Sequence, residues 1–275
     1  MADGSEGTSA TTYSLFRTTD GGATWKAYSV PTDLRFPPTS LFALDEGAVW
    51  IGSQSPEAAS VSVDSPECGQ RLADTIWVPV IFRLSHPTAA WSREILPKRN
   101  GCETDAIHFS SPKRGVSVSH HTVFYTQDGG DHWRESSVEM KNSNVSWPKA
   151  NGSAFGSLSF LEQDGSIGWL SYDGGELFST RDAGEHWKQV LEPNSLGPRN
   201  VGFGAWGATY FANEKIGWIL GGGAAIYETQ DGGSTWSKIA CPDRILSLSC
   251  RDGSCLLASA NKLFRIDWNK RDSLK

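Results

Sequence analysis

Short runs in which apolar and polar residues alternate, each ended by a turn rich in Gly, Asp or Asn, recur along most of the chain. One stretch shows the pattern plainly. Residues 157–161 (SLSFL) predict a strand, 162–166 a turn, and 167–171 (IGWLS) a second strand. Asp173-Gly174-Gly175 predicts the next turn, 177–180 a third strand, and 186–191 (HWKQVL) a fourth. Residues 209–240 repeat this order, with Ile216-Gly217-Trp218 in the place of Ile167-Gly168-Trp169. Val49-Trp50-Ile51-Gly52 opens the same element near the N-terminus and is followed by a long insert before Ile76. Helical repeats would space their apolar residues by three and four, and these units do not. The chain reads as an all-β repeat.

The repeats align on one segment: 16–25 (FRTTDGGATW), 124–133 (FYTQDGGDHW), 178–187 (FSTRDAGEHW) and 227–236 (YETQDGGSTW). A fifth copy, 82–91 (FRLSHPTAAW), keeps both aromatics but places His86 where the others have Asp, and a sixth begins at Phe264-Arg265. Four antiparallel strands at a pitch of about fifty residues describe a propeller blade. Full blades are expected at 38–97, 103–140, 155–192 and 201–240, leaving 13–30 and 244–268 at the two ends. Pairing of the N- and C-terminal strands in one blade would close the ring and protect its edges. The expectation is a single β-propeller domain over 13–268 with five to six four-stranded blades, flanked by tails at 1–12 and 269–275.

The shared turn has a mechanical explanation. Asp20, Asp128, Asp182 and Asp231 are short carboxylates able to accept hydrogen bonds from N–H groups of their own turn. Gly22, Gly130, Gly184 and Gly233 allow positive φ, and Trp25, Trp133, Trp187 and Trp236 pin the turn by packing. One acid per blade is far from its counterparts, so these residues read as structural. His86 agrees, since that copy drops the carboxylate and keeps the aromatics.

The pattern Thr-x-Asp-x-Gly-x-x-Trp, starting at Thr18, Thr126, Thr180 and Thr229, resembles the Asp-box or BNR repeat of sialidase-type propellers. The frames 168–187 (GWLSYDGGELFSTRDAGEHW) and 217–236 (GWILGGGAAIYETQDGGSTW) are closer still to the photosystem II assembly/stability factor family. The resemblance covers nearly the whole chain. It implies a propeller whose Asp-boxes lie on the face opposite the functional one; because the box occurs in hydrolases, receptors and assembly factors, it does not choose among functions.

Composition narrows the choice. Lys and Arg number 25 against 31 Asp and Glu, a net charge of −6, which argues against nucleic acid as a main partner. Twelve Trp, twelve Phe and six Tyr supply bulky core material, so the chain can bury a core. The apolar stretch 77–82 contains Pro79 and is too short for a membrane span. No Cys–His spacing fits a zinc site, and neither a metal nor a cofactor is expected. Cys250 and Cys255 would face each other across a hairpin, and Cys68 and Cys102 could also pair; free thiols remain the alternative for all four. The first residues carry no signal peptide. Possible disulfides and the habits of similar families favour an exported compartment (periplasm, lumen or exterior) with the leader absent from this chain, and the cytoplasm stays open.

Binding residues are expected in the loops opposite the Asp turns. Arg35, Lys98 with Arg99, Lys149, Arg199 and Arg244 would place about one cation per blade around the axis, and the same face receives His120, His121 and Tyr172 with Asp173. The insert 54–75 and the loop 141–153, with Trp147, are expected to contact a partner. The leading expectation is a monomeric, non-enzymatic binding or assembly scaffold for a protein or peptide. A sialidase-type glycoside hydrolase is the first alternative, with Arg35, Arg99 and Arg199 as the carboxylate grip, Tyr172 or Tyr210 as nucleophile and Asp105 or Asp173 as acid. That family's N-terminal Arg-Ile-Pro type segment is missing, because Phe16-Arg17-Thr18 belongs to a box. A carbohydrate-binding propeller, with Trp147 or Trp206 stacked on sugar, is the second.

Overall fold

The computed structural model describes residues 13–20, 22–34, 36–44, 47–58, 75–97, 103–120, 122–141, 155–161, 164–172, 175–192, 195–196, 208–221, 225–239, 245–251 and 254–267. Their strands form six sheets in chain order. The first is an antiparallel pair, β1 (Leu15–Arg17) and β2 (Lys26–Tyr28). The second is the meander β3 (Ser40–Ala43), β4 (Val49–Ala58), β5 (Thr75–Leu84) and β6 (Ser92–Ile95). The third contains β7 (Ala106–Phe109), β8 (Gly115–Ser119), β9 (Thr122–Thr126) and β10 (Arg134–Glu135). After one more residue β11 (Ser137–Glu139) crosses to the fourth sheet, whose own strands are β12 (Phe155–Phe160), β13 (Gly168–Tyr172), β14 (Leu177–Thr180) and β15 (His186–Leu191). The fifth is β16 (Thr209–Phe211), β17 (Gly217–Gly221), β18 (Ala225–Thr229) and β19 (Ser237–Ile239). The sixth has three strands, β20 (Ile245–Arg251), β21 (Ser254–Ser259) and β22 (Leu263–Asp267).

The first strands of successive sheets touch one another, β3 to β7, β7 to β12, β12 to β16 and β16 to β20, so they form the inner line of the array. Between sheets the core is aromatic. Trp50 on β4 stacks on Phe109 of the third sheet at 3.7 Å, and Trp169 on β13 stacks on Phe211 of the fifth at 3.7 Å and 2°. The third sheet has Val116 where its neighbours carry that Trp, and there Phe160 stacks on His108 at 4.6 Å instead. Burial holds the His108 imidazole neutral, pushing its pKa down to about 4.

The glycine that opens the second strand of the third, fourth and fifth sheets, followed by Trp in the last two, has a packing cause. Gly217 pairs with Phe211 across the ladder, and a Cβ there would come within 2.4 Å of the Phe211 ring. Gly115 under Phe109 and Gly168 under Phe160 repeat the arrangement. The ring lies flat on the bare backbone of its partner, which lets the next sheet approach closely.

Two features depart from the expectation of uniform four-stranded blades. β11 adds to the fourth sheet as a fifth strand, parallel to β15, with Val138 opposite Trp187. Among the described residues the N- and C-terminal strands also do not share a sheet, and no ladder joins β1 or β2 to β20, β21 or β22. The incomplete first sheet leaves its aromatics uncovered. Phe16 is 54% and Trp25 61% exposed, whereas the equivalent Phe124 and Phe178 are fully buried and Trp187 nearly so. Trp25 therefore does not pack as the other turn tryptophans do.

Candidate functional site

Each meander puts its first-to-second and third-to-fourth turns on one side and its second-to-third turns and inter-sheet connections on the other. The third-to-fourth turns are the Asp corners, and their bonds close on themselves. In the third sheet Thr126 Oγ1 donates to Asp128 Oδ1 at 2.8 Å and accepts from Gly130 N at 2.9 Å. His132 N donates to Asp128 Oδ1 at 2.9 Å, and its Nδ1 lies 2.7 Å from Oδ2. The fourth sheet repeats this with Thr180, Asp182, Gly184 and His186. The first and fifth sheets replace the imidazole with a hydroxyl: Thr24 Oγ1 to Asp20 at 2.5 Å and Thr235 Oγ1 to Asp231 at 2.6 Å. Trp25, Trp187 and Trp236 donate Nε1 to the corner glycine carbonyls at 3.1, 3.0 and 2.9 Å. Trp133 is the exception, and Trp50 of the preceding sheet donates to Gly129 O instead. Gly22, Gly130, Gly184 and Gly233 all have positive φ, from 93° to 100°.

These bonds set the charge on the corners. Hydrogen bonds from the Thr24 hydroxyl, the Thr24 N–H and Thr18 hold the Asp20 carboxyl down at about 2. At Asp128 and Asp182 burial pushes the carboxyl up, but bonds from the His132 or His186 N–H and ring and from the box threonine outweigh it. The Thr235 hydroxyl and N–H lower Asp231. The residue before the Trp is thus a working part of the corner. The aligned copies carry that signal, with Thr or His at this position in the four intact boxes and Ala90 in the copy that lacks the Asp.

The corners also tie neighbouring sheets. Arg83 on β5 forms an ion pair with Asp131 of the next corner. Tyr125 OH and Gln127 Nε2 each reach the Glu185 carboxylate at 3.3 Å, and Arg181 pairs with Glu214 at 2.7 Å. Between the third and fourth sheets, on this corner side, is a cleft of about 300 Å³ lined by Arg114, Tyr125, Gln127, Arg181 and Glu185.

On the opposite face, His120 occupies the β8–β9 turn with a φ of 52°, and its N–H donates to Asp105 Oδ2. Tyr172 ends β13 within the core of the third and fourth sheets, only 2% exposed, with Phe155 and Phe178 edge-on to its ring. Burial, then Asp105 and Glu176, push its phenol pKa well above the ordinary value. A nucleophilic phenol requires the opposite shift and an open approach, so Tyr172 has neither property of the nucleophile considered for a hydrolase. Tyr210 is stacked against Trp218 at 6.2 Å. Of the two acids considered with it, Asp105 does lie near enough to act on the Tyr172 phenol.

The expected cations Arg35, Lys98, Arg99, Lys149, Arg199 and Arg244 lie outside the described residues, as do His121, Trp147, Asp173 and Trp206. Among the described residues no group of three or more His, Cys, Asp or Glu is placed to hold a metal ion. Among the described residues no helix is long and apolar enough to cross a membrane. In the sixth sheet Cys250 stands opposite Cys255 in the ladder, and Cys255 is disulfide-bonded.

No family model matches the chain, and no curated protein matches it. Solved structures do. YCF48 from Cyanidioschyzon merolae is similar with a TM-score of 0.57 at 14% identity, over 92% of this chain and 76% of that one. Sqt1 of Saccharomyces cerevisiae is similar with a TM-score of 0.55 at 11% identity, over 85% of this chain and 60% of that one. The GH74 xyloglucanase of Xanthomonas campestris reaches 0.54 at 12% identity, over 92% of this chain and 40% of that one. At such identities the likeness concerns the fold. Successive antiparallel meanders with their first strands inward, matched by these neighbours, make the chain a β-propeller protein.

Proposed function

We propose that this chain is a non-enzymatic binding or assembly scaffold of the Asp-box type, similar to the photosystem II assembly/stability factors, holding a protein or peptide on the face opposite its Asp corners. One observation carries the reading: the corner carboxylates use their acceptor capacity within their own turns. They are fasteners, and recognition falls to the other face. That face receives the long connections between β4 and β5, β11 and β12, and β15 and β16, where sequence can vary without loss of the ladders. Lys149 and Arg199 on two of those connections, with Arg35, Arg99 and Arg244 on the links between other successive sheets, would favour an acidic segment of the partner, together with His120, His121 and Trp147. The fold likeness to YCF48 supports the assembly reading.

The test is an array of acidic, neutral and basic peptides probed with the purified chain, followed by the Arg99→Glu/Arg199→Glu variant. Retention of acidic peptides that the variant loses is the expected result. Equal retention by the variant would refute the basic-face version. The fold likeness to a xyloglucanase keeps a hydrolase as the second reading. Turnover of a fluorogenic glycoside panel, abolished by Arg99→Ala, would replace the scaffold with it. The Cys255 disulfide supports an exported location.

A further inference from the structure

Five large hydrophobic side chains are exposed among the described residues, and four of them lie on the first and last sheets of the array. Phe16 and Trp25 belong to the first sheet, Leu256 and Leu263 to the sixth. Exposed apolar residues scattered singly are ordinary, but a concentration of them on two faces marks an interaction surface.

The ladders identify what these side chains should touch. Leu256 pairs with Ser249 and Arg265, as Trp169 pairs with Ser159 and Ser179 in the fourth sheet. Leu263 pairs with Ala258, two residues beyond Leu256, as Leu177 pairs with Ser171, two beyond Trp169. Leu256 and Leu263 thus hold the positions of Trp169 and Leu177, which face the following sheet. Trp169 and Leu177 share a core with Phe211 and Trp236 of that sheet, and a Cβ on Gly233 would come 3.2 Å from Leu177. In the first sheet Trp25 and Gly22 are the counterparts of Trp236 and Gly233. Phe16 matches Phe124 and Phe178, which sit in cores shared with the preceding sheet. Its neighbour Leu15, with Tyr28 opposite, packs toward the second sheet, so alternation turns Phe16 the other way. The sixth sheet therefore presents the forward half of an inter-sheet joint, and the first sheet presents the receiving half. Within one molecule the halves do not meet, since Leu256 is 54% and Leu263 76% exposed.

We propose that a second copy of this chain closes the joint: the sixth sheet of one molecule packs on the first sheet of the next, with Leu256 and Leu263 against Phe16 and Trp25. Continuity names the occupant, because the chain already makes this joint between its own sheets and carries one complementary half at each end. The contact is heterologous and leaves one half open at either end of a pair, so assembly grows with concentration. This inference goes beyond the partner-holding role, stands without it, and replaces the monomer expected from the sequence.

The test is sedimentation velocity on the full chain from low to high micromolar concentration. The weight-average mass of the native chain should rise with concentration. Phe16→Ser/Trp25→Ser and Leu256→Asp/Leu263→Asp should each stay at the single-chain mass. Mixed in equal amounts, the two variants should form a pair of twice that mass and nothing larger, because each keeps the half that the other lacks. A native chain that stays at the single-chain mass overturns the proposal. So does a variant that self-associates as the native chain does, or a mixture that forms no pair. Should a double variant fail to fold, Trp25→Ser and Leu263→Asp replace the two in the same mixture.

Discussion

The indole of Trp169 lies flat on the ring of Phe211, 3.7 Å away and 2° from parallel, and joins the second strand of one sheet to the first strand of the next. Trp50 and Phe109 make the same joint two intervals earlier, between the second and third sheets. The stack is possible because the Phe ring rests on a glycine, so dipeptide and aromatic form one device. Phe211→Ala should cost about 3–5 kcal/mol, the range for emptying a buried aromatic site. Trp169→Ala and Phe211→Ala should couple in a double-mutant cycle read by urea denaturation. Strict additivity would show that the two rings do not share one joint.

The corner carboxylates make an acid-side expectation. Asp20, Asp128, Asp182 and Asp231 have folded values below the ordinary 3.8, so their contribution is complete above that value and is lost as pH falls through their lowered ones. Asp105 has the opposite sign. Its folded value of about 6 exceeds 3.8, so its contribution is full below 3.8 and lost as pH rises through about 6. Asp105→Asn should therefore flatten the decline in thermal midpoint between pH 5 and 7, and Asp182→Asn should leave that decline intact. An unchanged slope in Asp105→Asn would contradict the assignment.

Ala183 sits at a φ of 62° where the equivalent Gly129 and Gly232 have 83° and 75°. A side chain in the left-handed region costs about 1–2 kcal/mol. Ala183→Gly should thus be neutral to stabilising, despite the entropy that glycine adds to the unfolded chain. Gly129→Ala and Gly232→Ala should destabilise, because a Cβ would meet the Pro112 carbonyl at 2.7 Å and the Glu214 carbonyl at 2.8 Å. Comparing thermal midpoints of the three variants is enough, and destabilisation by Ala183→Gly would be the contrary outcome.

The Cys255 disulfide closes within the sixth sheet's hairpin if its partner is Cys250, the residue opposite it. Such a short loop limits the gain to about 2 kcal/mol. Reduction should raise the intact mass by two hydrogens and lower the thermal midpoint modestly. Peptide mapping that links Cys255 to another cysteine would contradict the pairing.

The fourth sheet was legible almost residue by residue, since 177–180 and 186–191 coincide with β14 and β15. Period-two alternation and glycine turns carry local structure, and both were visible. β11 was not, because a single residue, Ser136, separates it from β10 and no local pattern records that two adjacent runs join different sheets. The Gly-Trp dipeptide could be counted as a motif, but its cause is Phe211, a cross-strand neighbour. His120 could be placed in a turn; its bond to Asp105 links two strands and leaves no mark on spacing. The cations Arg99 and Arg199 fall outside the described residues, so the candidate site is legible mainly as a face and in its His120–Asp105 turn.

The most direct measurement compares partner binding in two folded variants, one per face. Binding to the peptide selected on the array should be lost in Arg99→Glu/Arg199→Glu and kept in Asp128→Asn/Asp231→Asn, once circular dichroism shows both folded. Binding lost through the corner pair and kept through the loop pair would place recognition on the wrong face and contradict the account.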